Sequence, residues 1–303
     1  MSHLNEPWFN DAEAAREHLE AIRWPNGPIC PHCGGVEKIH KVTGTKHRAG
    51  LYACRDCNGH FTVTVGTLFE RSHIPLHKWF QAVYFLCSSK KGMSAHQLHR
   101  TLGVTYKTAW FMFHRIREGM KEGSWPGQLG GTGKTVEADE TFIGNRKDRQ
   151  KARGFRHKHA VVSLVERGGK VRSFKVEGVN TNTLRKVLLE QVDPASTLMT
   201  DDANFYKRIG KEFADHQAVN HSEEEYVRGL AHTNTIEGYF SIFKRGMKGV
   251  YQHCGEKHLK RYLTEFDFRY NHRASLGWND QQRTIAALKG IDGRRLTYQQ
   301  SGR

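Results

Sequence analysis

Two apolar, alternating stretches of this sequence end in adjacent acids: Thr135-Val-Glu-Ala-Asp139-Glu140-Thr-Phe-Ile143-Gly144 and Leu198-Met-Thr-Asp201-Asp202. Acids at the ends of buried strands are costly unless solvent or a cation receives them. Two such strands side by side would bring carboxylates together, an arrangement that a metal ion makes tolerable. Hard oxygen ligands of this kind select magnesium or manganese. A third stretch follows, His232-Thr-Asn234-Thr-Ile-Glu237-Gly-Tyr-Phe-Ser-Ile-Phe-Lys244-Arg245. On a helix, Asn234 and Glu237 are i, i+3 neighbours, and Lys244 lies two turns beyond Glu237 on the same face. One face then offers a carboxylate to a metal and an ammonium to a phosphate. Thirty-five residues separate Asp201 from Glu237.

A second chemistry lies near the N-terminus. Cys30-Pro-His-Cys33 and Cys54-Arg-Asp-Cys57 are two C-x-x-C pairs separated by twenty residues. This spacing predicts a structural zinc site, with each pair on a tight turn so that two thiolates converge on one ion. Four thiolates close the tetrahedron and leave no position open for chemistry. Gly34, Gly35 and Gly59 fall where the turns need them. His32, His40 and His60 are nearby competitors that four cysteines make unnecessary. Of the remaining cysteines, Cys87 reads as a small core residue and Cys254 as part of a turn.

These residues need elements to position them. Asp11 to Arg23 reads as a short amphipathic helix stopped by Pro25, Gly27 and Pro28. Cys30 to Val65 reads as small strands. Leu76 to Lys90 carries helical periodicity and is broken by Gly92. Ser94 caps a second helix ending near Gly103, and Thr105 caps a third running to about Met120; the pair has helix-turn-helix character. Lys107, Thr108 and Arg115 then fall along a recognition helix suited to a major groove, while Trp79, Trp110, Phe111 and Phe113 read as core. Gly123 to Lys134, with five glycines and a proline, marks a linker. Beyond it, strands are expected at Thr135–Ile143, His159–Val165 and Val171–Val176, the last two joined by a Gly168-Gly169 hairpin. A helix at Thr181–Val192, a strand at Thr197–Thr200, and long helices at His232–Lys248 and Glu256–His272 complete the order. The expected divisions are 1–65, helix and ribbon; 66–125, the helix-turn-helix-like segment; and 131–303, the segment carrying the acids.

The formal net charge is +16 over 303 residues. Such a surplus draws polyanions, nucleic acid first among them. A membrane surface would need a basic amphipathic anchor or lipidation site, and neither is found. No apolar run approaches the ~20 residues of a membrane span, and the polar start lacks a signal-peptide layout, so a cytosolic place is expected. Arg146 to Lys175 holds eleven Lys or Arg against Asp148 and Glu166, and Lys244 to Arg273 holds eight against Glu256, Glu265 and Asp267. Both segments flank the acids, as the walls of a DNA groove would.

Taken in order, the ribbon at Cys30 to Cys57, the Val136 to Gly144 stretch, Thr200-Asp201, His221-Ser222 and His232-Thr-Asn234-Thr-Ile-Glu237 resemble the DDE transposase and integrase superfamily. The nearest likeness is to bacterial insertion-sequence transposases with an N-terminal zinc ribbon and an Asp, Asp, Asn or Glu, then Lys signature. The resemblance runs almost end to end. It implies an α/β, ribonuclease-H-like mixed sheet with flanking helices over 131–303. It implies Asp139 and Asp201 as the first two catalytic acids. The third is Asn234 by the Asn-Lys signature or Glu237 by the seven-residue step to Lys244; Glu237 is preferred, because a carboxylate binds the metal better than an amide, with Asn234 beside it. Glu140 and Asp202 are read as supporting or solvent-facing. His221 and His232 are read as structural, or as positioning a phosphate or water. Two magnesium or manganese ions would serve cleavage of the element's inverted-repeat ends and strand transfer into a target duplex, with Lys244 on a phosphate. Joining two ends implies a homodimer or larger oligomer, and the bacterial setting implies a nucleoid-associated protein. A metal-dependent nuclease or resolvase and a catalytically silent DNA-binding regulator are the competing functions.

Overall fold

The computed structural model describes residues 3–121, 127–146, 154–219 and 232–297, with Arg156 by its backbone alone. The chain forms two compact units. One holds Met1–Ser89, Met93–Lys121 and Asn279–Arg303, and the other Lys90–Gly92 and Glu122–Trp278. The expected final segment 131–303 therefore differs at its end, because the residues from Asn279 on fold with the N-terminal unit.

In the first unit, α1 (Ala12–Arg23) starts where the Asp11 side chain accepts the Ala14 N–H at 2.7 Å. Strands β1 (Ile39–Lys41), β2 (Tyr52–Cys54) and β3 (His60–Phe61) form an antiparallel ribbon. Trp24, at the end of α1, meets Tyr52 and Phe61 edge-on at 5.4 and 5.8 Å, which ties the ribbon to the helix. Helix α2 (Leu76–Ser88) buries Trp79, Phe80, Val83, Leu86 and Cys87 on one stripe. Helix α3 (Ala95–Leu102) is capped by Ser94 and ends on Gly103 at φ 63°, a left-handed position that glycine takes without strain. Thr105 then caps α4 (Tyr106–Gly119). Arg115 departs from its expected place on the outer face. It is 8% exposed and donates to the Leu296 and Glu70 carbonyls, so it ties down the chain end and is not free for DNA. Lys107 is exposed and Thr108 half-buried.

In the second unit, β4 (Leu129–Gly130) pairs in parallel with β8 (Val192–Asp193). The main sheet holds β5 (Thr135–Ile143), β6 (His159–Glu166), β7 (Val171–Val176), β9 (Thr197–Asp201) and β10 (Asp215–Val219) in the order β10-β9-β5-β6-β7. The β5-β6 and β6-β7 pairs are antiparallel, and β5-β9 and β9-β10 are parallel. Three meandering strands followed by two parallel ones on the open side of the first make the ribonuclease-H-like sheet. Alternation sorts its residues into two faces. Val136, Ala138, Val162 and Leu198 share one buried cluster with residues of α5 (Thr181–Gln191) and α6 (Asn204–Ile209). Val161, Val165 and Ile143 share the other with α7 (Asn234–Gly246) and α8 (Leu259–Asn271). Past α8, α9 (Asp280–Lys289) returns to the first unit, opened by an Asn279–Gln282 capping box. No helix among the described residues is long and apolar enough to cross a membrane.

Candidate active site

Asp139 stands at the middle of β5 and Asp201 ends β9. The parallel register pairs Thr135 with Thr197, Val136 with Leu198 and Glu137 with Met199. Continued by two residues, it brings Asp139 abreast of Asp201, on the face opposite the Val136–Ala138–Leu198 cluster. Carboxylate oxygens of Asp139, Glu140 and Asp201 lie within 4.8 Å of one another, all three residues half-buried. Glu140, a mid-strand residue paired with Val162, does not face solvent freely: its carboxylate reaches the same point. Asp202 does face solvent, 3.1 Å from Lys207. Among the described residues, Glu237 lies outside that tight group. It is exposed on the first turn of α7 and accepts from Thr233 Oγ1 at 2.9 Å. Asn234 and Lys244 are exposed on the same helix.

The electrostatics of the acids follow from this crowding. Burial pushes the Asp139 carboxyl up to about 7. The negative charge of Asp201 and Glu237 adds to the rise, and the Glu140 amide and Lys244 oppose it. Burial, followed by Asp139 and Asp201, pushes Glu140 up to about 8. The buried Tyr206 hydroxyl bonds the Glu140 carboxyl, which opposes part of that rise. The fully buried Tyr206 is itself pushed well above the ordinary range by burial and by the charge of the three acids. Three carboxylates held together against their own charge are a donor set that fits a hard divalent cation.

Behind the acids lies a residue that the sequence reading passed over. Glu137, fully buried and two residues before Asp139 on the same face, accepts from Arg167 Nε at 2.6 Å, Thr235 Oγ1 at 2.8 Å and the Ile236 amide at 2.9 Å. A strand carboxylate therefore caps the N-terminus of α7, where unpaired amides and the helix dipole favour negative charge. His232 joins this group: its carbonyl accepts from Arg167 at 2.7 Å, and its Nδ1 lies 3.4 Å from Glu137. Its surroundings are those of a structural histidine. Only the acid within an otherwise apolar alternation could have pointed to Glu137. His221 and Ser222 lie outside the described residues.

The four cysteines of the first unit converge likewise. All four sulfurs lie within 4.8 Å of one another, with Cys30–Cys57 and Cys33–Cys54 at 3.7 Å. A tetrahedron with ~2.3 Å Zn–S bonds has edges of ~3.8 Å. The two turns repeat each other: Cys30 N donates to the Gly35 carbonyl and Cys54 N to the Gly59 carbonyl, both at 2.9 Å. A Cβ on Gly59 would stand 2.8 Å from the His32 ring and 3.1 Å from Cys57 Sγ, so the close approach needs glycine. Burial works against a Cys30 thiolate, but the Cys33 and His32 amides hold the group down at about 7. Cys33 is helped by the Gly35 amide, yet the surrounding thiols push it up to about 12. The four can all ionise once a cation is shared among them. We expect one zinc per purified chain by metal analysis, and Cys54→Ser to lose it together with amide protection of β1–β3. Ions of this kind contribute about 10–16 kcal/mol in zinc-finger peptides. A ribbon that keeps its protection after chelation would rule out a structural ion.

The comparisons with known proteins bear on both units. Residues 128–271 match the ISXO2-like transposase domain, and residues 10–60 match the transposase zinc-ribbon domain. Residues 128–271 thus form a domain of the ISXO2-like transposase family, behind a transposase zinc ribbon. A Halobacterium salinarum relative, described as an uncharacterized protein in transposable element ISH50, is 28% identical over 278 residues, which is 86% of this chain and 91% of that one. The Caenorhabditis elegans male abnormal protein mab-31 is 26% identical over 211 residues, 62% of this chain and 48% of that protein. A chain of the simian T-cell lymphotropic virus intasome, solved with a PP2A regulatory subunit, overlays at TM-score 0.31 and 13% identity, over 56% of this chain and 63% of that one. So loose an overlay adds nothing to the topology. The family match takes in Asp139, Glu140, Asp201, Asn234, Glu237 and Lys244 in one domain, and the four cysteines in the other.

Proposed function

We propose that this protein is an active DNA transposase. In this reading it binds the terminal inverted repeats of its insertion sequence, cleaves at the ends and transfers the 3′-hydroxyl strands into target DNA. The observation that carries the proposal is the meeting of Asp139, in β5, with Asp201, at the end of the neighbouring β9, at carboxylate spacing suited to a shared cation. Magnesium or manganese held there would supply the charge that activates a water or hydroxyl and stabilises the leaving oxygen in phosphoryl transfer. Asp139 and Asp201 would be two ligands and Glu237 the third, with Asn234 beside it. Lys244, whose charge already reaches Asp139, would hold a phosphate oxygen. The ribbon and the α3–α4 pair would grip duplex DNA, which the net charge of +16 favours. Two ends joined in one event call for a dimer or larger assembly.

The test is a strand-transfer assay with magnesium or manganese on labelled duplexes carrying the element's own ends. We expect joined products from the wild type and their loss in Glu237→Gln, with a smaller fall in Asn234→Ala. Activity that survives Glu237→Gln but not Glu140→Gln would move the third ligand to the acid already grouped with Asp139 and Asp201. Cleavage without joining would mean a nuclease. DNA binding without metal-dependent chemistry would mean a regulator.

A further inference from the structure

Beside Glu140 a cleft of about 570 Å³ opens within the second unit, inside the about 300–1,000 Å³ range of small-ligand sites. Its chemistry is divided. Its lining holds one acid, Glu140, which groups with Asp139 and Asp201, and three ammonium groups, Lys158, Lys244 and Lys248; among the described residues no carboxylate pairs with any of these three. Two phenyl rings share the lining. Phe142 and Phe155 stack at 4.9 Å and 9°, and Phe155 leaves 60% of its surface exposed. Lys158 Nζ lies over the Phe155 ring at 5.3 Å. A phenyl ring left mostly open in a strongly basic surface is not explained by core packing.

We propose that this cleft binds a single unpaired nucleotide of DNA, its base stacked on Phe155 and its phosphate held by the lysines. The inference rests on the transposase reading for what the nucleotide is: the one flanking the phosphate at the acids, turned out of its duplex. A phosphate-only ligand would leave the phenyl face unused, and an apolar ligand would leave three ammonium groups unanswered. A nucleotide has both halves, and every base offers a face for stacking. The phosphodiester is directed to the lysines or, once a cation is bound, to the acids.

The experiment uses the full chain carrying Asp201→Asn, so that no cleavage intervenes. The probes are a blunt duplex and the same duplex with a three-nucleotide 3′ overhang containing 5-iododeoxyuridine, which crosslinks to stacked aromatic rings on irradiation. The overhang duplex should bind about tenfold more tightly than the blunt one, and the crosslinked peptide should carry its adduct on Phe155. Phe155→Ala should remove both the adduct and the preference, and Phe155→Trp should keep the preference. Equal affinity for the two duplexes, or an adduct elsewhere that persists in Phe155→Ala, would overturn the cleft's assignment. The two readings fail separately. Wild-type strand joining without a Phe155 adduct removes the cleft and leaves the transposase, whereas an adduct and overhang preference without joining leave the cleft and remove the chemistry.

Discussion

Asp201→Asn should abolish metal-dependent cleavage and joining, by about 10³-fold or more, while making the metal-free protein more stable. The two effects share one cause. Asp139, Glu140 and Asp201 meet within 4.8 Å, and with no cation they oppose one another. An amide at position 201 removes a ligand, and several kcal/mol of transition-state stabilisation goes with the ion it helps to hold. The same amide removes a negative charge that raises both Asp139 and Glu140. The sign of the pH effect follows from the raised values, about 7 and about 8. A carboxyl whose folded pKa lies above its unfolded one, near 4, contributes stability that is complete below about pH 4 and is lost as pH rises through the folded value. The metal-free wild type should therefore lose stability between about pH 4 and 8, and Asp201→Asn should lose less. Magnesium should raise the wild-type melting temperature more at pH 8 than at pH 6 and leave that of Asp201→Asn nearly unmoved. A variant that melts with the wild-type pH profile, or responds to magnesium as the wild type does, would mean that the three carboxylates are not one electrostatic group.

What the sequence made legible was set by how local its causes are. Ser94, Gly103 and Thr105 act within three residues of themselves, so the α3–α4 turn could be read before it was seen. The cysteine pairs and the acids Asp139 and Asp201, each in an apolar strand, carry their meaning in short windows. Helix α9 has a local signal too, since Asn279 and Gln282 spell a capping box ahead of Ile285 and Leu288. Strand β10 had none: Asp215-His-Gln-Ala-Val is a polar edge segment, made a strand by pairing with β9. The burial of Arg115 depends on carbonyls at Glu70 and Leu296, far away in sequence. Glu140 is another case: alternation assigns it to the face away from Asp139, yet its carboxylate meets those of Asp139 and Asp201, a convergence that depends on β9 and has no local signal.

Glu137→Ala should be the most damaging single change away from the metal ligands themselves, costing about 3–5 kcal/mol of stability and most of the strand-transfer activity. Glu137 has no exposed surface and holds three donors at once: the Arg167 guanidinium, the Thr235 hydroxyl and the Ile236 amide. Removing one partner of a buried ion pair leaves the other charge poorly compensated, and that penalty exceeds the worth of the pair itself. Here the loss has a direction. The bonds to Thr235 and Ile236 fasten the first turn of α7 to β5, two residues from Asp139, and that turn carries Asn234 and Glu237. Freed of its cap, the helix start should fray, and the exposed Glu237 and Asn234 would lose their fixed distance from Asp139 and Asp201 while the sheet persists. Hydrogen exchange should then report lost protection at the α7 start and retained protection in β5 and β6. Glu137→Gln keeps the shape and one acceptor oxygen, so it should recover more of the activity than of the stability, because positioning needs the cap whereas the ion pair needs the charge. If Glu137→Ala proves as stable as the wild type, or if it loses activity with the α7 start fully protected, the placement of α7 does not depend on this carboxylate.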